Sequence, residues 1–241
     1  MAQRIHRFIR DITGVGDPYI EVKNRFNKLA LQMYPALKQL IETSTDPLET
    51  AVRSAIAGNI IDFGVNSAVE QAEVERTISQ SLEAPLDVQA LEQFREATSQ
   101  AQDVLYLGDN SGEIVFDRLL IEQLPWERIT FVVKGNPVLN DAVIEDAQIT
   151  GLTDFINVID NSSDTPGTIL ESCSQMFRRR FDESDLVIAK GQGNYESLSS
   201  VDKKIFFMVR PKCTVLAQHL GCEIGSLVLS GLNHNKFAER S

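Results

Sequence analysis

The stretch DVLYLGDNSGEIVFD, Asp103–Asp117, ends an apolar run of strand type on a carboxylate and an amide, Asp109 and Asn110. It then passes through Ser111, Gly112 and Glu113 into a helical pattern. A carboxylate beside a carbonyl oxygen is the ligand chemistry of a small hard cation such as Mg²⁺ or Mn²⁺, rather than of a thiolate-seeking metal. The same pair can instead form an Asx turn that caps the next helix. Asp141, in NPVLND after the next strand-like run, offers a third oxygen ligand. The amides of Ser111, Gly112 and Glu113 open a helix, and with its dipole they form an anion seat. Lys212 is the first choice to hold a phosphate oxygen, with Lys134 and Lys190 as assistants. Asn136 and Asn194 both follow a glycine and read either as turn residues or as ligand contacts.

These residues need a scaffold that brings them to one edge. Five short runs after Gln102 (DVLYLGDN, RITFVVKGN, FINVIDN, DLVIAKGQGN, KIFFMVRPK) are mostly apolar without alternation, as strands buried on both faces are. Intervening segments such as GEIVFDRLLIEQL and TPGTILESCSQMF are long enough for crossover helices. This is the rhythm of a doubly wound, mainly parallel α/β sheet, a Rossmann-like three-layer arrangement. The carboxyl ends of its strands lie along one edge, and ligands bind in the crevice there. All five runs end in polar or glycine-rich residues, so the expected site lies on that edge.

Residues 1–100 read as a helical subdomain and 101–241 as the α/β metal- and phosphate-binding domain. Asp17 and Asp46 are expected N-caps, each followed by a proline at the first helical position. A further helix is expected in APLDVQALEQFREATSQA. In AGNIIDFG, Asn59 and Asp62 stand three apart in an apolar segment and hence share a helix face. They form either a hydrogen-bonded pair tying helices together or a wall of the site.

Composition excludes several classes. With 241 residues, 43% hydrophobic and 24% charged, the chain has the make-up of a soluble globular protein. Its net charge of −11 opposes binding to nucleic acid. No apolar run is long enough to span a bilayer and the opening residues lack a signal-peptide core, so no membrane partner and a cytoplasmic location are expected. Cys173, Cys213 and Cys222 include no CxxC and argue against a disulfide framework. GQGNYE has Glu196 where a dinucleotide fingerprint needs glycine, and no P-loop occurs. GDNSG has the wrong spacing for a nucleophile elbow, and Ser111 stands where phosphoaspartate phosphatases carry an acid. Nothing in the sequence sets an oligomeric state.

Together, LGDNSGEIVFD, KGNPVLND, AKGQGNYESL and RPKC, with AGNIIDFG from the helical half, resemble the damage-control phosphatases of domain of unknown function 89, the acidic-residue-methyltransferase-like proteins, with the five motifs in the right order. The resemblance runs from about Arg4 to about Gly231 and is greatest to the short prokaryotic branch. It implies hydrolysis of phosphate monoesters of small, often damaged metabolites with a divalent cation (Mg²⁺, Mn²⁺, Co²⁺ or Ni²⁺). It carries the metal ligands to Asp109, Asn110 and Asp141, the catalytic lysine to Lys212, and the K-G-x-x-N turn to Lys190, Gly191 and Asn194. Gly58, Asn59 and Asp62 are then expected near the substrate. Prokaryotic relatives usually begin with a further helical segment bearing a CxxC pair, and this chain begins without it. The rival reading is a noncatalytic binder or sensor of a phosphorylated metabolite on the same sheet edge.

Overall fold

The computed structural model describes residues 2–61 and 71–232. Helices α1 (Ala2–Thr13), α2 (Ile20–Thr43), α3 (Pro47–Ala57), α4 (Gln71–Glu83) and α5 (Val88–Gln100) precede the first strand. Then follow β1 (Val104–Leu107), α6 (Glu113–Ile121), β2 (Ile129–Val133), α7 (Ile144–Ile149), β3 (Asn157–Asp160), α8 (Gln175–Glu183), β4 (Leu186–Lys190), α9 (Gly191–Leu198), β5 (Ile205–Val209), α10 (Thr214–Leu220) and β6 (Val228–Leu232). The strand order is β3-β2-β1-β4-β5-β6, parallel from β3 to β5, with β6 antiparallel at the edge. The expected α/β class and mainly parallel sheet are therefore present. No described helix is long and apolar enough to cross a membrane.

Two apolar layers explain the arrangement. On one face Phe26, Ile56, Phe94 and Phe116 from helices α2, α3, α5 and α6 pack with Tyr106, Phe131 and Phe206 from the sheet. On the other, Phe177, Phe181, Tyr195 and Leu216 from α8, α9 and α10 cover Leu105, Val187 and Phe207. Each such side chain fully removed from water contributes about 1.5–3 kcal/mol. Helices α2, α3, α4 and α5 thus share one core with the sheet. Strands β1, β2, β4 and β5 are buried throughout, which accounts for their unalternated apolar runs.

Two expectations need correction. Asp17 does not cap α2, which starts at Ile20; its carboxylate accepts from the Tyr19 amide at 2.9 Å and pairs with Lys23 Nζ at 3.0 Å. TPGTILESCSQMF is not one helix but a loop with a short 3-10 turn, Leu170–Ser172, and α8 begins only at Gln175, with Ser174 as its cap. The five expected strands are joined by a sixth in VLSGL, where Gly231 leaves room for the Phe206 ring, 2.9 Å from where a Cβ would lie. Asp46 does cap α3, accepting from the Glu49 amide at 3.1 Å.

A buried polar relay ties α2 to α7 and to the turn after β1. Lys23 Nζ also meets Asp146 Oδ2 at 2.7 Å, and Asn27 Nδ2 donates to Asp146 Oδ1 at 2.8 Å. Asn27 Oδ1 in turn accepts from the Gly112 amide at 2.6 Å, at the turn between β1 and α6.

Helix α1 is fastened to the loop after β3 by one carboxylate. Asp164 accepts from Gln3 at 2.6 Å, from Arg7 at 2.7 Å and from Arg10 at 2.8 Å. The hydrogen bond from Arg7 holds the Asp164 carboxyl well below the ordinary carboxylate range, against the opposing effect of its burial. Such a depressed group stabilises the docked helix above the unfolded value, about 3.9, and the contribution is lost as pH falls. Asp164→Asn should therefore raise amide exchange across residues 2–13 at neutral pH while β1 and β4 stay protected. Acidification of the unaltered protein should lower the same protection factors; unchanged factors in both experiments would contradict this anchoring.

Candidate functional site at the β1–β4 switch point

From β1 the chain proceeds to β2 on one side, and later returns to β4 on the other. The carboxyl ends of β1 and β4 therefore flank the topological switch point, where open α/β sheets form their crevice. Asp109 and Asn110 leave β1 there, and Lys190 and Gly191 leave β4. Asn110 forms an isolated antiparallel bridge with Asp141. Directly opposed residues of an antiparallel pair carry their side chains on one face. The Asp109 carbonyl also accepts from the Ala142 amide at 2.8 Å, and the Ala142 carbonyl from the Lys134 amide at 2.8 Å. The backbone thus sets Asp109, Asn110 and Asp141 beside one another, with Lys134 Nζ 3.4 Å from the Asp141 carboxylate.

Asp109 is half-buried between two polar groups and a glycine. Its Oδ2 accepts from Asn59 Nδ2 at 3.1 Å and from Asn110 Nδ2 at 3.0 Å. Gly191, at φ +78°, packs so closely that a Cβ there would lie 1.9 Å from Asp109 Oδ2. Only glycine satisfies both the positive φ and the contact.

Behind this carboxylate lies a fully buried ion cluster. Lys190 Nζ donates to Glu113 Oε1 at 2.8 Å, to the Ala55 carbonyl at 2.8 Å and to Asp117 Oδ1. Tyr106 donates its hydroxyl to the same Asp117 oxygen at 2.8 Å. Glu113 and Asp117 are four apart on α6 and so share a face. Burial pushes the Asp117 carboxyl up to about 6, against the attraction of Lys190. Burial also disfavours the Lys190 charge, but the Asp117 and Glu113 carboxylates outweigh it and hold its pKa above the ordinary value. The cluster therefore sets the Lys190 ammonium between two acidic side chains.

The sequence matches the model of the damage-control phosphatase ARMT1-like domain over residues 1–228. The chain belongs to that family. Among ARMT1-like relatives, it is 37% identical over 233 residues to a damage-control phosphatase of Archaeoglobus fulgidus, covering 95% of this chain and 80% of the relative. It is 34% identical over 228 residues to the damage-control phosphatase PH1575 of Pyrococcus horikoshii, covering 93% and 77%. An uncharacterized protein, MJ0202, of Methanocaldococcus jannaschii is 38% identical over 242 residues, covering 95% and 78%. The crystal structure of a DUF89 family protein from P. horikoshii superposes with a TM-score of 0.84 at 32% identity, covering 96% of this chain and 81% of that one.

Several residues expected to face a ligand are instead turned inward in this ARMT1-like fold. Lys190, expected at the substrate, spends its three N–H donors on the buried cluster. Asn194 is buried: its Nδ2 donates to the Gly108 and Lys190 carbonyls at 3.2 and 2.8 Å, and its Oδ1 accepts from Thr168 at 2.7 Å. It clamps the β4–α9 turn to the end of β1. The anion seat is also largely occupied, since the Ser111 amide donates to the Asn140 carbonyl at 2.9 Å and the Gly112 amide to Asn27. Ser111 Oγ goes to the same Asn140 carbonyl at 3.0 Å, and the Glu113 side chain lies within the cluster. Asn59 is buried against Asp109 and Glu113, a tie between the helical layer and the strand end. Asp62 lies outside the described residues.

Asn136 and Lys212 are exposed, Lys212 three residues beyond β5. Asn136 borders a cavity of about 390 Å³ with Asp17, Ile20, Lys134 and Val143. Sequence reading missed Asp117, Tyr106, Asn27 and Asn140. Asp117 left one trace, a second acid four residues after Glu113 in a mostly apolar helix. Lys190→Met should strand two buried carboxylates and lower stability by about 3–5 kcal/mol, read from chemical denaturation; a loss below about 1 kcal/mol, the scale of a surface pair, would mean that the cluster is not an ion cluster.

Proposed function

We propose that this chain is a metal-dependent phosphatase that hydrolyses phosphate monoesters of small metabolites. The observation that carries this reading is the side-by-side placement of Asp109, Asn110 and Asp141 at the β1–β4 switch point. Family membership and the names of two relatives support phosphatase chemistry. Among the described residues there is no group of three His, Cys, Asp or Glu side chains arranged for a metal. The candidate set is two carboxylates and an amide, all oxygen donors, and this chemistry fits Mg²⁺ or Mn²⁺, with Co²⁺ and Ni²⁺ as alternatives.

Asp109, Asn110 and Asp141 would hold the cation, which when bound draws charge from the phosphoryl oxygens. Lys212, exposed beyond the end of β5, would neutralise a further phosphoryl oxygen. Asp109 keeps its carboxylate oriented by the Asn59 and Asn110 amides, so its geometry is set before a substrate arrives. The overall step adds water to phosphorus and breaks the P–O bond to the organic group, giving an alcohol and inorganic phosphate. The cavity bordered by Asn136 and by Lys134, whose ammonium lies 3.4 Å from the Asp141 carboxylate, would take the organic part, and its size suits a small metabolite.

Phosphate release from an aryl phosphate should require one of these cations and stop on chelation. Asp109→Ala should abolish it in a folded protein, and residual metal-dependent turnover by that variant would refute the assignment. Saturable metabolite binding with no turnover under any cation would favour the sensor. Gly191→Ala should displace the Asp109 carboxylate and lower kcat by about 100-fold, the cost of an ångström-scale misplacement; wild-type kcat in that variant would remove Asp109 from the reacting centre.

A further inference from the structure

Two side-chain amides and two carboxylates form a closed ring at the site. Asn110 Nδ2 donates to Asp109 Oδ2 and to Glu113 Oε2, each at 3.0 Å. Asn59 Nδ2 donates to the same two oxygens at 3.1 and 2.9 Å. Rotating either amide by half a turn would set a carbonyl oxygen about 3 Å from two carboxylate oxygens, a repulsive contact in a buried, low-dielectric setting. Each amide therefore has one orientation: nitrogen towards the carboxylates, oxygen on the opposite arm. In Asn59 that oxygen is buried and has no hydrogen-bond partner among the described residues.

Glu113 can accept from both amides because its other oxygen is held by Lys190 Nζ at 2.8 Å. Its own side chain is wholly buried and lies behind Asp109 and Asn110, where it reaches a ligand only through them. We propose that Glu113 is a positioning residue: by accepting from both Nδ2 groups, it turns the amide oxygen of Asn110 towards the side on which a cation would bind beside Asp109 and Asp141. This inference rests on the cation reading above.

The test compares two variants that each leave Lys190 one buried carboxylate. In Glu113→Gln, Lys190 keeps Asp117; in Asp117→Asn it keeps Glu113. Both retain a matched buried pair, but in the first the one remaining oxygen is drawn to the Lys190 ammonium, and the glutamine NH₂ is turned on the two amides where Oε2 had accepted from them. Binding of Mn²⁺ alone, followed by the electron paramagnetic resonance signal of the free ion, needs no turnover. Glu113→Gln should weaken Mn²⁺ binding by about 10- to 100-fold, the usual effect of losing a residue that orients a ligand. Asp117→Asn should bind Mn²⁺ as the unaltered protein does.

Equal Mn²⁺ affinity in Glu113→Gln and the unaltered protein would overturn the inference and leave the cation reading intact. An equal loss in both variants would also overturn it, because the effect would then belong to the charge of the cluster. Absence of Mn²⁺ binding by the unaltered protein would overturn the cation reading and this inference with it. Should Glu113→Gln not fold, the side-chain amide protons of Asn59 and Asn110 in the unaltered protein decide the matter. Slow exchange by NMR is expected, and exchange at the free-amide rate would overturn the proposal.

Discussion

The Lys190 ammonium is the contact on which the rest of the site depends. It comes from the last residue of β4, reaches the Glu113 and Asp117 carboxylates of α6, and donates to the Ala55 carbonyl of α3. One group thus joins the sheet, the crossover helix and the helical layer. Removing a cation and two anions from water carries a heavy desolvation cost, offset only when hydrogen bonds are nearly complete. Here every Lys190 donor is used, and Tyr106 adds a bond to Asp117. Loss of one partner would be more damaging than the intact cluster is stabilising, which makes such a cluster a device for specifying one geometry.

Around that cluster the polar residues divide into those that hold the site and those that can act in it. Gly112 bonds to Asn27, Ser111 to the Asn140 carbonyl, and Asn194 to Thr168 and the Lys190 carbonyl, so the turns after β1 and β4 are held by the protein's own groups. Asp109 stands at the border, with its carboxylate held by two amides and pressed against Gly191. A carboxylate fixed in this way needs little reorganisation when charge develops opposite it.

The architecture was largely legible because its signals are local. Unalternated apolar runs such as IFFMV marked strands buried on both faces, and Asp46-Pro47 marked the start of α3. The errors arose where local signals competed with packing. Asp17-Pro18 looked like a helix start, yet Asp17 is drawn to Lys23 and the helix begins later. TPGTILESCSQMF is long enough for a crossover helix, but Gly167 lies so close to Gly193 that a Cβ would meet its carbonyl at 2.3 Å, and the chain remains a loop there. VLSGL was too weak to read as a strand, and exists because β5 offers an edge to pair with.

For the site, residue types and strand-end positions determined that Asp109, Asn110 and Asp141 would share one edge, since in a parallel sheet the carboxyl termini of strands are collinear. They could not determine which strand-end side chains point outwards. Lysine and asparagine after a strand can equally contact a ligand or satisfy buried groups, and the choice depends on what lies behind them. Only the tertiary structure supplied Glu113, Asp117 and Ala55 behind Lys190, and Gly108 and Thr168 around Asn194. The physical reason is that hydrogen-bond demand in a buried, low-dielectric region is set by non-local neighbours, whose identity is fixed by the packing of α3 and α6 on the sheet and not by spacing along the chain.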